Sequence, residues 1–134
     1  MATRLNPYIS FPGTARQAME YYQHVFGGSL SLRTYGEFGA QEQGEQIMHS
    51  MLETERGFTL MASDSPDQSE HRPGNNISIS VTGDGADSEE LRGYWDKLAD
   101  GGTVSVPLEK QMWGDYFGMC TDKFGITWMI DFGE

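Results

Sequence analysis

QMWGDYFGMCTDKFGITWMID, residues 111–131, is the stretch that decides the fold of this chain. Its middle four residues, Asp122 to Gly125, have side chains that form tight turns. The runs on either side are too apolar to be loops, and they are rich in the aromatic residues that strands favour. The aromatic residues of the stretch are Trp113, Tyr116, Phe117, Phe124 and Trp128. We therefore predict a β-hairpin whose two strands are joined at residues 122–125.

The elements before this hairpin complete a βαβββ order in the second half of the chain. A short apolar run predicts a strand over residues 77–82, and Asp87 with Glu90 is a reciprocal pair that opens a helix. Apolar residues at helical spacing continue to Gly101-Gly102, where we predict the helix end. Three strands follow, over residues 103–110, 116–121 and 126–132.

The first half of the chain predicts the same order. Residues 6–11 form a predicted strand, and Thr14 with Gln17 has the spacing of a capping box that opens a helix ending at Gly27-Gly28. Three further strands are predicted over residues 30–35, 46–54 and 58–63. The polar segment that follows is rich in turn-forming residues. We therefore divide the chain into a first module (residues 1–64), a linker (65–75) and a second module (76–134).

The two halves also match in sequence, which indicates a duplicated unit. NPYIS at residues 6–10 aligns with NISIS at 76–80, and GFTLM at 57–61 aligns with GITWM at 125–129. Such units bury their sheets by packing about a pseudo-two-fold axis. We predict an α+β fold in one domain, residues 1–134. Its two βαβββ modules form a curved, eight-stranded mixed sheet of two half-barrels, with helices on the outer face and a shared concavity.

Composition limits the kinds of partner. Nine basic against twenty acidic residues give a net charge of −11, so neither nucleic acid nor a membrane surface is expected as a partner. No apolar run has the length of a membrane-spanning helix, and the first residues lack the apolar core of a signal peptide. The chain has one cysteine, Cys120, which we interpret as a small buried residue and not as a nucleophile. A cytoplasmic location is the expectation.

Motifs along the whole chain carry a family resemblance. They are FPGTA (11–15), the segment from Tyr22 to Gly28, IMH (47–49), LMASD (60–64), WGD (113–115), FG (117–118), DKFG (122–125) and WM (128–129). With them the chain resembles the vicinal oxygen chelate superfamily of glyoxalase I, bleomycin resistance proteins and extradiol dioxygenases, and within it the PhnB-like branch. The resemblance, together with the strand edges that half-barrels expose, implies a homodimer. PhnB-like proteins are sometimes labelled methyltransferases, but nothing in this sequence resembles an adenosylmethionine-binding fold.

The resemblance also implies where a metal would be bound. Metal-dependent members place four ligands, commonly His and Glu, near the start of the first strand and in the last strand of each half. Here those positions are Asn6, Met61, Asn76 and Met129. Thioethers and carboxamides are poor donors for Ni, Zn or Fe(II), so we expect no metal and no cofactor. The two Asn residues either form strand-start turns or hydrogen-bond in a pocket, and the two Met residues either pack in the core or line an adaptable pocket.

Other side chains in the predicted modules have two interpretations each. His49 is either a core histidine or, if it faces the concavity, an acid/base group. Trp113 and Phe117 either pack in the core or line a pocket. Asp115 and Asp122 adjoin turn signals, so we interpret them as turn residues and not as catalytic carboxylates.

These observations leave functions of two classes. The favoured hypothesis is a metal-free small-molecule-binding protein whose ligand the sequence does not identify. Its predicted ligand-binding residues are Asn6, His49, Met61, Asn76, Trp113, Phe117 and Met129. The alternatives are a metal-dependent lyase, isomerase or dioxygenase of the same superfamily, and a metal-free enzyme that uses His49 as acid or base.

Overall fold

The computed structural model describes residues 3–39, 44–65 and 67–134. Residues 40–43, in the predicted loop of the first module, and residue 66, in the predicted linker, lie outside the described residues. The chain divides into two compact units, Met1–Pro73 and Gly74–Glu134. The first unit contains β1 (Tyr8–Phe11), α1 (Ala15–Phe26), β2 (Ser29–Thr34), β3 (Ile47–Glu53) and β4 (Thr59–Asp64). The second contains β5 (Ile79–Gly83), α2 (Ser88–Ala99), β6 (Thr103–Lys110), β7 (Tyr116–Thr121) and β8 (Thr127–Phe132).

The predicted βαβββ order is confirmed in both units. Hydrogen bonding places the strands in two four-stranded mixed sheets, β1-β4-β3-β2 and β5-β8-β7-β6, which confirms the predicted α+β fold of two modules. The pairs β1/β4 and β5/β8 are parallel and the others are antiparallel. The first strand begins two residues later than predicted. Pro7 cannot donate to the ladder, although its carbonyl accepts a hydrogen bond from the Met61 N–H at 3.1 Å.

Helix α1 covers one face of the first sheet. Its buried residues recur at helical spacing as predicted: Ala15, Ala18, Met19, Tyr22 and Val25. Leu52 and Leu60, which pair across β3 and β4, are buried with them, and burying a side chain of this size contributes about 1.5–3 kcal/mol. Because side chains alternate along a strand, their neighbours lie on the other face. We call it the open face of the first sheet, and its residues include Tyr8, Arg33, His49, Met51 and Met61.

Helix α2 covers the second sheet in the same way. Leu91, Tyr94 and Leu98 are its buried residues. Gly118 in β7 makes room for this helix, because a Cβ there would lie 2.8 Å from the Trp95 ring. The open face of the second sheet, opposite α2, includes Ser80, Phe117, Met119, Met129 and Asp131.

The predicted capping boxes do not open the two helices. Thr14 and Asp87 occupy the N-cap positions, but neither side chain makes a cap hydrogen bond, and their ψ angles of 16° and 4° differ from the extended backbone that an N-cap requires. In the second unit the reciprocal bond forms one turn earlier. The Asp84 backbone is extended, and its N–H donates to the Asp87 carboxylate at 3.1 Å.

Within these described ranges, neither helix combines the length and the apolar character needed to cross a bilayer.

Candidate functional site

Asn6 and Met61 are in contact on the open face of the first sheet. The carboxamide nitrogen of Asn6 donates to the Met61 sulfur at 3.4 Å. Met61 lies in β4 between Tyr8 on one neighbouring strand and Met51 on the other, and it is half-buried. The structure therefore brings together two of the residues predicted for the site and adds a second thioether beside them.

His49 lies on the same open face and not in the core, and its role as an acid/base group stays a prediction. It is half-buried in β3, and its Nδ1 lies 3.2 Å from the Tyr8 hydroxyl. The two rings stack, with centroids 5.7 Å apart and planes at 29°. When Nδ1 accepts a hydrogen bond from the Tyr8 hydroxyl, Nε2 carries the ring hydrogen and can donate to a ligand. Tyr8 was not predicted as a site residue, although it lies inside the NPYIS segment that aligned the two halves.

A buried carboxylate fixes the backbone that gives His49 this position. Arg33 pairs with His49 but Thr34 pairs with Ile47, so Met48 is an extra residue in β3. This bulge turns Ile47 toward the buried face while His49 stays on the open face. The Asp64 carboxylate, which is 2 % exposed, accepts hydrogen bonds from Ile47 N at 2.9 Å and from Ala15 N at 2.8 Å. Asp64 therefore holds both the bulge and the first turn of α1.

The second sheet repeats the thioether pair. Met129 in β8 lies directly opposite Met119 in β7, as Met61 lies opposite Met51. Both residues are half-buried on the open face of the second sheet. Thioether side chains are flexible and polarisable, so these faces offer adaptable apolar surface. Sequence alignment of the modules found Met61 and Met129 but not the residues opposite them, which only the strand register identifies.

Asn76 does not take the position that the alignment gave it. Tyr8 pairs with Met61, and Ser80 pairs with Met129. Tyr8 and Ser80 therefore occupy equivalent positions in the two sheets. Asn6 lies two residues before Tyr8, and Ser78 lies two residues before Ser80. Ser78, and not Asn76, is therefore equivalent to Asn6. Asn76 is exposed in a bend before β5.

Trp113 lies at the surface in the turn that joins β6 to β7, and its interpretation as a core residue is wrong. It is 64 % exposed, and its ring centroid lies 6.3 Å from that of Phe117, which is half-buried on the open face. The turn is closed by a hydrogen bond from Gln111 N to the Asp115 carbonyl at 2.8 Å. Gly114, with φ of 103°, supplies the left-handed residue of this turn.

The hairpin predicted at residues 122–125 is confirmed, and Asp122 is its organising residue. This carboxylate is 3 % exposed and accepts hydrogen bonds from Phe124 N, Ile126 N and the Trp128 indole nitrogen. Burial, with a smaller contribution from the Asp122 charge, raises the pKa of the Cys120 thiol to about 11. Cys120 is fully buried, as predicted, so it is not available as a nucleophile.

A carboxyl pair that the sequence did not indicate lies on the open face of the second sheet. Asp131 is directly opposite Phe117 in the β7/β8 ladder. Burial raises the pKa of Asp131, and a hydrogen bond with Asp115 and the charge of Asp115 raise it further. Asp115 was predicted to be a turn residue, and it also contributes this contact. Only the fold brings the two carboxyls together.

We expect the Asp131→Asn variant to be at least as stable as the parent protein at pH 7. Because the pKa of Asp131 is higher in the native state than in the unfolded chain, the charged carboxylate costs the native state more than the unfolded one. The free energy of unfolding therefore falls as pH rises through the ordinary carboxyl range. Asparagine removes that loss, so its advantage should disappear in acid, where both carboxyls are protonated. Urea unfolding at several pH values measures this, with Asp96→Asn on the exposed face of α2 as the control. A less stable Asp131→Asn protein at pH 7 would contradict it.

No part of the chain that the structure describes groups three or more His, Cys, Asp or Glu side chains in a way that could hold a metal ion. At the two positions that the resemblance predicts for metal ligands in the first unit, the side chains are a carboxamide and a thioether that are hydrogen-bonded to each other. That the protein binds no metal ion stays a prediction, and it rests on these donor types.

Comparison with known proteins identifies the family. The model of the Glyoxalase/Bleomycin resistance protein/Dioxygenase superfamily matches residues 4–130. The chain belongs to this superfamily. A curated relative, Protein YjdN of Escherichia coli, is 30% identical over 141 residues, which cover 95% of this chain and 93% of that protein.

Solved structures of superfamily relatives share the fold along the whole chain. The crystal structure of protein PA1353 from Pseudomonas aeruginosa has a TM-score of 0.86 at 32% identity, and the match covers 98% of each chain. A PhnB protein from Bacillus cereus, called a putative 3-demethylubiquinone-9 3-methyltransferase, has a TM-score of 0.79 at 25% identity. That match covers 98% of this chain and 100% of the other. The resemblance to PhnB-like members of the superfamily is thereby confirmed.

Proposed function

We propose that this protein is a binding protein of the superfamily that takes up a small, partly apolar molecule without a metal ion or a cofactor. The observation that carries the proposal is the hydrogen bond from the Asn6 carboxamide nitrogen to the Met61 sulfur. An amide nitrogen is not a metal ligand, and here its hydrogen is directed at the neighbouring sulfur. The two groups are hydrogen-bonded to each other at positions where metal-dependent members present His or Glu.

The side chains around this contact suit a small-molecule ligand. Such sites combine mostly apolar surface with a few polar groups that fix orientation. Met51 and Met61 supply the apolar surface of the first open face, and His49 with Tyr8 supplies the polar groups. On the second open face, Met119 and Met129 lie near Phe117, which contacts Trp113.

The hydrogen-bonded pair of Tyr8 and His49 favours one alternative, a metal-free enzyme. A phenol and an imidazole 3.2 Å apart can pass a proton between them and to a bound molecule. In that case the ligand is a substrate, and His49 is the acid/base residue. The same binding surface serves both functions, and turnover of the bound compound separates them.

Methyl transfer is not part of the proposal. The two four-stranded mixed sheets differ from the open parallel sheets with helices on both faces that bind nucleotide cofactors.

A cytoplasmic location and a homodimer, in which a second copy covers an exposed strand edge, complete the proposal. Nucleic acid is not among the proposed partners, because the chain carries a charge of −11.

A ligand screen read by tryptophan fluorescence tests the binding function. Because Trp113 is 64 % exposed, a bound ligand that contacts it should change its emission. We expect Trp113→Ala to weaken binding about tenfold, a typical loss for an aromatic contact, while thermal stability changes little. Binding by that variant can be followed by calorimetry.

Methionine variants provide a matched control for the same screen. Met61→Ala should weaken binding about tenfold, because it removes apolar contact surface. Met112→Ala should have no effect, since Met112 is fully exposed next to Trp113. If no compound in a broad screen binds, or if Met61→Ala and Met112→Ala behave alike, the proposal fails.

A further inference from the structure

The open face of the first sheet carries a row of groups that can donate hydrogen bonds. Arg33 in β2 and His49 in β3 are directly opposite each other, so their Cβ atoms lie about 4.5–5.5 Å apart on one face. The Tyr8 ring stacks on the other side of His49. Guanidinium, imidazole and phenol groups thus follow one another across the sheet.

The positive charge in this row is not neutralised by the residues that the structure describes. Within residues 3–39, 44–65 and 67–134, Arg33 joins no ion pair and donates no side-chain hydrogen bond. Arg4 is instead paired with Glu53 at 3.1 Å. Glu53 lies at the opposite end of the β2/β3 ladder, four residues along the strand from His49, about 13 Å away. Because the described residues give Arg33 no acidic partner, although the chain has twenty acidic and nine basic residues, its guanidinium can accept an anion from solution as its partner.

We infer that Arg33, His49 and Tyr8 form a binding site for the carboxylate of a small organic acid. The guanidinium can donate two parallel hydrogen bonds to a carboxylate, and His49 Nε2 can donate a third when Nδ1 accepts a hydrogen bond from the Tyr8 hydroxyl. Met51 and Met61, on the adjoining part of the face, would contact the apolar part of the acid. This inference rests on the proposed binding function and names its ligand class.

Benzoate and benzamide are suitable probes, because they share size and shape and differ in charge. Imidazole NMR signals of the intact protein report where each probe binds. We expect benzoate to shift the His49 signals and to leave those of His24, on the exposed side of α1, unchanged. Benzamide should bind at least about tenfold more weakly, since a charge-assisted bond is roughly twice as strong as a neutral one.

Two arginine variants of equal charge change provide the control. Arg33→Gln should weaken benzoate binding about tenfold, whereas Arg4→Gln, which removes an arginine already paired with Glu53, should change it less than about twofold. Tyr8→Phe should keep the fold and alter the benzoate-induced shift of His49, because it removes only the hydroxyl that contacts Nδ1.

Three results would overturn the inference: no shift of His49, equal binding of benzoate and benzamide, or equal losses in Arg33→Gln and Arg4→Gln. If neutral compounds still bind with a dependence on Met61 while benzoate does not bind, the carboxylate site alone is wrong. If nothing binds, the proposed function fails as well.

Discussion

Replacing Asp64 with alanine is expected to lower the free energy of unfolding by about 3–5 kcal/mol, because two buried backbone N–H groups lose their charged acceptor. Those groups belong to Ala15, the first residue of α1, and to Ile47, the first residue of β3. Both hydrogen bonds are shorter than 3 Å, and the carboxylate is 2 % exposed. In the parent protein, Asp64 therefore accepts both hydrogen bonds out of contact with bulk water.

Urea unfolding of Asp64→Ala and Asp64→Asn measures this effect. Asparagine retains one acceptor oxygen but directs its NH₂ group at the second N–H, so its loss should be smaller than that of alanine but still above about 1 kcal/mol. Asp96→Ala, on the exposed face of α2, is the control and should be nearly neutral. If Asp64→Ala is as stable as this control, Asp64 does not anchor the helix and the bulge.

Asp122→Ala is expected to cost about 2–4 kcal/mol, the second largest effect. The carboxylate accepts Phe124 N at 2.8 Å and Ile126 N at 3.1 Å within the hairpin turn. Its other oxygen accepts the indole N–H of Trp128 at 2.8 Å, and that ring is 1 % exposed. Removing the carboxylate leaves the indole donor buried without its acceptor.

A double-mutant cycle with Trp128→Phe isolates the indole bond. In the Trp128→Phe background, Asp122→Ala should cost about 1–2 kcal/mol less than in the parent protein, because no indole donor remains to be left unsatisfied. Additive losses, measured by urea unfolding, would show that the contact between Asp122 and Trp128 contributes nothing to stability.

Local sequence signals were sufficient to predict the order of elements. The turn residues at 122–125 located the hairpin, and the helical spacing of Ala18, Met19 and Tyr22 located the buried side of α1. Helix starts were harder to predict. The first N–H of α1 is bonded to Asp64, a residue 49 positions later in the chain. A nearby pair such as Thr14 and Gln17 has the right spacing without the backbone angles that capping requires.

Predicting the site required the strand register, whereas predicting the order of helices and strands did not. Which face a strand residue occupies changes with a shift of one position, and the bulge at Met48 makes such a shift between Ile47 and His49. The sequence therefore left the orientation of His49 open and did not indicate Arg33. For the same reason Asn76 was aligned two residues away from the position that the β5/β8 pairing gives it. The contact between Asp115 and Asp131 joins a turn to a strand, and no spacing in the sequence indicates it.

Ligand binding is expected to need no metal, and metal analysis combined with binding measurements tests this most directly. The protein would be dialysed, analysed for Ni, Zn, Mn and Fe, and titrated with its best ligand from the screen before and after treatment with a chelator. We predict far less than one metal ion per chain and the same affinity in both titrations, because Asn6 and Met61 offer only a carboxamide and a thioether. Near-stoichiometric metal that is lost in Met61→Ala, together with binding abolished by the chelator, would contradict the account.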